Sequence, residues 1–514
     1  MIENKKPKIC VVGGGTAGWI TLAYLVATVD AEFTIIHSEE VDPIGVGEST
    51  TPTIKHVAET CGVDEFTWMR DANATFKYGV HYTDWNRPGS SWFHCFDDLL
   101  PHQNWTRAPF ENGKRLVDKE LTSVEYFLKH YKTGSEFFNR SQGASHFLWH
   151  EKLSPFNQLG QANISRYPGY AYHVDAFNFG NSLRRNTDPT KYQEIINTVT
   201  DVRIGEQGIE SLLLKDGTTI TADLYFDCTG FKRLLIDKLT KWEPYSKLVN
   251  NAAVFGRVVG RNSDNATTVA HAQPVGWIWT IPTWQNTGSG YVYSDQYIND
   301  DQAVDHMTKY WKQQGHNWEP AKQIKFVGGR QQHCSIKNVV ANGLSQSFVE
   351  PLEATSIMVT CSTVVKFVEL YKRNNSIIDA GLIRMHDRVI EKFLLHMKNF
   401  VVYHYALNER RDTAYWLDVH DANASKEVSE KIKELLSQPW LKPGETAFNQ
   451  WNWASMLMGY DKLYSEDLPD IPDLHIENYV DYTESLIHNY ERMLGKNITV
   501  ADMLRKIHQP NDIT

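Results

Sequence analysis

The stretch that decides the fold is Lys8–Thr28, KICVVGGGTAGWITLAYLVAT. Lys8–Val12 is a short apolar run rich in β-branched side chains, as a strand buried on both faces of a parallel sheet should be. Gly13, Gly15 and Gly18 then fit G-x-G-x-x-G. In a strand-to-helix turn the first glycine permits the tight reversal and the second lets backbone approach a pyrophosphate. The third lets helix and strand pack closely, and the helix N-terminus offers N–H groups and a positive dipole end. Trp19–Thr28 reads as the helix, with Ile20, Leu22, Ala23 and Leu25 as its apolar surface, and Phe33–Ile36 reads as a second strand. Strand, turn, helix, strand is the order of a dinucleotide-binding βαβ unit. Thr16 and Ala17 join the three glycines as cofactor-binding positions.

Further along, an acidic residue for a ribose hydroxyl is expected about 20 residues beyond the turn. His37 holds the end of the second strand instead, followed by Ser38, Glu39 and Glu40. Ser38 and Glu39 are candidate cofactor contacts, with a solvated surface glutamate the equal alternative for Glu39. Leu212–Lys215, Asp216-Gly217 and Thr218–Ala222 predict a hairpin, because Asp-Gly suits a type I′ turn. Asp223–Cys228 predicts another apolar strand, ending in Thr229-Gly230. Residues 251–282 alternate as antiparallel strands do. A helix is expected from Thr355 to about Lys372. Helical periodicity dominates from about Ile383, with Ile390, Phe393, Leu394 and Met397 on one stripe.

Composition narrows the function classes. The 514 residues allow two to four domain-sized units. A hydrophobic fraction of 41% and a charged fraction of 22% are those of an ordinary soluble protein. The net charge of −10, without a long basic run, excludes a sequence-wide nucleic-acid footprint. The six cysteines form no C-x-x-C pair, which argues against zinc and redox-disulfide sites and suits a reducing cytoplasm. No signal-peptide core and no membrane-length apolar run is present. The expectation is a cytoplasmic protein with no metal, nucleic acid or membrane among its partners, the homo-oligomer question staying open.

Several ordered segments carry a family resemblance. Asp223–Gly230 (DLYFDCTG) resembles the strand that returns to the flavin domain in FAD-dependent monooxygenases. Gly276–Pro282 (GWIWTIP) resembles the W-x-W-x-I-P signature of flavin-dependent halogenases, the tryptophan-halogenase-like family. The glycine turn followed by Trp19 is similar to that family's G-x-G-x-x-G-W. Ile44–Thr50 (IGVGEST) resembles its strap between flavin and substrate sites. Thr75–Gly79 (TFKYG) resembles the segment with its catalytic lysine, and Phe348–Ser356 (FVEPLEATS) the segment with its catalytic glutamate and halide site. Asp412–Trp416, after His404-Tyr405, resembles a further family stretch.

The resemblance implies an α/β fold. A FAD-binding Rossmann-like βαβ domain carries an antiparallel substrate sheet, as in flavin monooxygenases, and a mainly helical C-terminal module follows. The expected boundaries are 1–382 for the FAD and substrate box, with FAD-binding parts at about 1–60, 190–235 and 335–375. Residues 383–514 form the helical module that completes the substrate pocket. The implied activity is a two-component halogenation: a separate flavin reductase supplies FADH2, which with O2 and a halide ion (chloride, bromide or iodide) gives hypohalous acid for an aromatic small molecule.

It also implies site residues. Lys77 matches the essential lysine, whose ammonium polarises hypohalous acid or whose neutral amine forms a haloamine. Glu353 matches the catalytic glutamate, a carboxylate that stabilises a cationic ring intermediate; Glu350 is its rival if the register differs. Thr355 and Ser356 match the halide-binding positions at a helix N-terminus, with helix capping by Thr355 a compatible reading. Gly47, Glu48 and Ser49 of the strap and Leu352 join the cofactor contacts. Trp277 and Trp279 share a strand face, as core aromatics or as a barrier between substrate and flavin. His94 and Phe96 resemble a His-x-Phe element of the tryptophan-halogenase substrate pocket. The family's C-terminal tyrosine pair, which grips the substrate's amino-acid group, is replaced by Trp451-Asn452-Trp453-Ala454, with Trp453 as a pocket candidate. This departure predicts an indole, phenol or larger aromatic substrate rather than free tryptophan. The alternatives are an FAD-dependent aromatic hydroxylase and a flavin-binding protein without catalysis.

Overall fold

The computed structural model describes residues 6–38, 47–96, 110–111, 114–115, 143–162, 169–246, 248–260, 264–422, 447–448, 450–462, 484–485 and 487–510. The chain folds as two compact units, each built from three stretches. Met1–Ala74, His173–Ala252 and Lys322–Lys398 make the first; Thr75–Tyr172, Ala253–Ala321 and Asn399–Thr514 make the second.

In the first unit β1 (Lys8–Val12) leads through the glycine turn into α1 (Thr16–Thr28) and back to β2 (Glu32–His37). The helix begins three residues before the apolar pattern does, because Thr16, Ala17 and Gly18 carry no periodic signal of their own. The six-stranded sheet has the order Tyr192–Ile196, β2, β1, Leu224–Asp227, Val339–Ala341, Ser335–Ile336. β1 lies parallel to both neighbours, Val12 opposite Ile36 on one side and Asp227 on the other. The chain therefore runs outward from β1 and later returns on its other side. The carboxyl end of β1 is the switch point at which open α/β sheets form a ligand crevice. α1 packs against the helices Ala176–Asn186 and Thr355–Arg373. Asn342 locks this layer by donating from Nδ2 to Thr21 Oγ1 (2.9 Å) and to the Thr360 carbonyl (3.1 Å). The predicted hairpin forms, with Leu212 opposite Ile220 and Gly217 at φ +88° in its turn.

The second unit is organised by a seven-stranded sheet in the order Asn317–Lys325, Ala252–Val259, Thr287–Tyr293, Trp277–Pro282, Thr268–Ala272, Gly79–Thr83, Ser91–Cys95. Trp277–Pro282 is buried along its whole length, so its tryptophans belong to a two-sided core rather than to an alternating, half-solvated strand. The helix Ala380–Leu407, whose residues up to Lys398 belong to the first unit, shows the expected stripe, with Ile390, Leu394 and Met397 buried and Phe393 half-buried. Among the described residues no helix is long and apolar enough to cross a membrane, and no group of three or more His, Cys, Asp or Glu side chains could hold a metal ion.

Candidate active site

In the first unit the glycine turn is shaped by contacts that tolerate no side chain. Gly13 sits at φ +119°, and a Cβ there would lie 2.2 Å from the Cys228 carbonyl oxygen. A Cβ on Gly18 would lie 1.8 Å from the Gly13 carbonyl oxygen. Gly15 differs: nothing lies within 4 Å of where its Cβ would be. Gly15 is the N-cap of α1 and offers no side-chain acceptor to the first-turn amides, which carry no acidic neighbour either. An anion approaching α1 would thus meet N–H groups and a positive dipole end. The Gly13 N–H donates to the Ile36 carbonyl (2.8 Å), pinning the turn to the end of β2. Thr16 anchors it from the other side by donating to the Ala176 carbonyl (2.9 Å). These features fit the pyrophosphate of a dinucleotide such as FAD.

The wall beside the turn is built by Asp227, which the sequence reading passed over. Its buried carboxylate accepts from the Thr229 hydroxyl (2.7 Å) and from the N–H groups of Thr229 (3.0 Å), Leu235 (2.8 Å) and Ile236 (2.9 Å). Burial still pushes its carboxyl above the usual range, against those four bonds. The local signal was available: an acidic residue at the end of an apolar strand, two before a threonine, suits an Asx-type turn.

Of the predicted cofactor contacts, Ser38 accepts a hydrogen bond from the Thr198 hydroxyl (3.2 Å). Glu39 and the Ile44–Val46 part of the strap lie outside the described residues. Glu48 and Ser49 form a two-residue strand against Val174 and His173. Enclosure, and then the nearby Asp175 carboxylate, push the Glu48 carboxyl up to about 7.

The Glu350–Ser356 segment belongs to the same unit. Pro351–Glu353 forms a single 3-10 turn and Ala354 adopts φ +56°, which launches the helix Thr355–Arg373 in a new direction. Glu353 and Glu350 are both buried. Glu350 accepts from Asn250 Nδ2 (2.9 Å). Leu352 and Thr355 are buried beside them. Gly343, whose Cβ would lie 2.7 Å from the Ala17 methyl, brings the chain before this segment close to α1.

In the second unit Lys77 ends the short strand Thr75–Lys77 and is fully buried. Alternation sends Phe76 into a cluster with Phe156, Tyr170 and Tyr172. The Lys77 ammonium lies 4.8 Å from the centre of the Phe96 ring, in cation–π range. Phe96 is brought there because its N–H donates to the Tyr78 carbonyl (3.2 Å), continuing the pairing of Gly79 with Cys95. Gly79 is required: a Cβ would lie 2.1 Å from the His94 carbonyl oxygen.

His94 stacks on Phe400 (centroids 5.5 Å apart) and its Nε2 lies 3.1 Å from Asn452 Nδ2. The amide nitrogen can only donate, so His94 Nε2 is the acceptor. Trp453 packs edge-on against Phe400 (4.7 Å) and at a tilt against Tyr403 (5.4 Å). Trp453 is therefore held among aromatic side chains, and Asn452, its neighbour on the helix Gln450–Gly459, is the residue that engages His94. Phe400 and Phe448, stacked at 3.8 Å, complete this wall, and neither carried a motif by which the sequence could single it out. Trp279 lies on Gly290, where a Cβ would be 2.7 Å from its indole, and Trp277 packs on Trp85.

Comparison with known proteins shows which family the chain resembles. The family model for tryptophan halogenase matches residues 8–469. The tryptophan 7-halogenase RebH of Lentzea aerocolonigenes is 28% identical over an alignment of 551 positions, taking in 99% of this chain and 98% of that one. The tryptophan 6-halogenase ThaL of Streptomyces albogriseolus is 29% identical over 450 positions, 84% of this chain and 82% of that one. Among solved structures, Xcc4156, a flavin-dependent halogenase from Xanthomonas campestris, superposes with a TM-score of 0.84 at 25% identity, over 98% of this chain and 99% of that one.

Proposed function

The chain belongs to the tryptophan-halogenase family of flavin-dependent halogenases, and on that premise we propose that it halogenates an aromatic ring other than that of free tryptophan. Reduced FAD, delivered by a separate reductase and held at the glycine turn, supplies hypohalous acid when it meets O2 and halide. Thr355 and Ser356 hold the halide at the start of their helix. Lys77 binds the hypohalous acid and polarises it toward the ring; a buried ammonium over the Phe96 face is shielded from water, which strengthens its pull on the departing oxygen. Glu353 stabilises the positive charge that develops on the ring and helps remove its proton. His94 and Phe96 face the aromatic substrate, and Trp453 backs them from the aromatic core behind Phe400.

The single observation that carries this reading is the buried Lys77 ammonium facing an aromatic ring, in a chain with Trp277 and Trp279 in its sheet core. The substrate reading rests on Trp451–Ala454, where Trp453 is bound into an aromatic core and Asn452 is taken by His94. Neither leaves a paired phenol to grip an amino-acid group. The test is a mass-spectrometric screen of indoles, phenols and free tryptophan against chloride, bromide and iodide, with a generic flavin reductase. Halogenated indole or phenol is expected from the wild-type chain. Lys77→Ala should abolish it while hypohalous acid still forms, and Glu353→Gln should slow turnover at least about tenfold. Efficient regioselective turnover of free tryptophan would overturn the substrate reading; hydroxylated product without halide would favour a hydroxylase. Loss of activity in Glu350→Gln with Glu353→Gln intact would exchange the roles of the two glutamates.

A further inference from the structure

His37 ends β2 where an acceptor for a ribose hydroxyl is expected, and its surroundings decide which of its nitrogens can accept. Its Nε2 lies 2.7 Å from Glu194 Oε1, on the neighbouring parallel strand Tyr192–Ile196. A carboxylate only accepts, so the shared proton resides on the imidazole Nε2. Glu194 is itself held: the same oxygen receives Arg184 Nη2 at 2.6 Å. The Arg184 guanidinium in turn lies 5.1 Å from the centre of the Trp19 ring, and Trp19 meets His37 edge-on at 5.9 Å. Three side chains, Glu194, Arg184 and Trp19, thus fix one imidazole orientation.

The other edge of that imidazole faces the glycine turn. A Cβ on Gly14 would lie 2.6 Å from His37 Cγ and 2.9 Å from Nδ1. With the Nε2 proton committed to Glu194, a neutral ring presents a lone pair at Nδ1. A carboxylate at the end of the second strand of a dinucleotide fold does the same work for the ribose. Arg184 is neutralised by Glu194, so it does not invite a phosphate on the ribose.

We propose that His37, in the tautomer imposed by Glu194, is the ribose-recognition residue of this chain, accepting a hydrogen bond at Nδ1 from a hydroxyl of the adenosine ribose of FAD. This rests on the assignment of the glycine turn to FAD. Glu194 and Arg184 act as positioning residues that hold the ring and its proton.

The test is equilibrium binding without turnover. FAD and FMN are titrated by flavin fluorescence, and ADP, 2′-deoxy-ADP and 3′-deoxy-ADP compete against FAD. The wild-type chain should prefer ADP over at least one deoxy analogue by about fivefold, the worth of one neutral hydrogen bond. His37→Leu should erase that preference and weaken FAD by about tenfold, with FMN unchanged. His37→Glu should restore the preference, which a merely structural role for His37 would not do. Glu194→Gln should lower the preference. A wild-type preference that persists in His37→Leu, its failure to return in His37→Glu, or FAD binding with no ribose preference would each overturn the role of His37 alone. A wild-type chain that binds neither FAD nor ADP would instead overturn the flavin assignment.

Discussion

Replacing Glu48 by glutamine should make the protein more stable at neutral and alkaline pH, by an amount that follows from its surroundings. Enclosure, and then the nearby Asp175 carboxylate, push its carboxyl up to about 7 from the usual 4.5. Below pH 4.5 the group is protonated in both the folded and the unfolded chain and has no effect on their balance. Between about 4.5 and 7 the unfolded chain has released a proton that the folded chain retains. Each pH unit in that window therefore removes about 1.4 kcal/mol of stability. Above pH 7 the loss levels off at about 3 kcal/mol. Glutamine keeps the shape and carries no charge, so Glu48→Gln should match the wild type below pH 4.5. It should melt several degrees higher at pH 8, at about 2 °C per kcal/mol for a domain of this size. The assay is thermal unfolding of both proteins without flavin, from pH 4 to pH 9. A difference that does not grow through pH 4.5–7, or a variant less stable than the wild type at pH 8, would refute the reasoning. Asp175→Asn, which removes the second cause, should shift the wild-type window to lower pH.

Four further outcomes follow from the structure. Gly15→Ala should fold normally, because its Cβ points into open space, yet lose FAD affinity by about tenfold in a fluorescence titration, because the methyl group takes the approach a pyrophosphate needs. Gly18→Ala should fail earlier, with a lower melting temperature, since its Cβ overlaps the Gly13 carbonyl. Asp227→Asn should cost about 2–4 kcal/mol in urea unfolding, because an amide turns half of an acceptor that serves four donors into a donor. Asn452→Ala should raise KM for the aromatic substrate by a few-fold with little change in melting temperature, as His94 loses the partner that orients it.

Local pattern carried much of this protein into view. The glycine turn was legible because a tight strand-to-helix reversal needs glycine at fixed spacing, whatever the rest of the chain does. The hairpin at Asp216-Gly217 and the stripe Ile390, Leu394, Met397 were legible because turn chemistry and helical period are properties of adjacent residues. Lys77, Glu353 and the W-x-W-x-I-P tag were legible through likeness to a family, not through any physics of their spacing.

What only the tertiary structure decided involves residues far apart in the chain. Glu194 sits on a strand that pairs with β2 although 157 residues separate it from His37, so nothing near His37 announces that its Nε2 proton is taken. Glu350 accepts from the Asn250 amide, 100 residues away, and nothing in the sequence near Glu350 announces that partner. Phe400 and Asn452 meet His94 only because two helices from the C-terminal part converge on one strand edge. A sequence specifies such encounters through the packing of the whole core, and packing has no short-range signature.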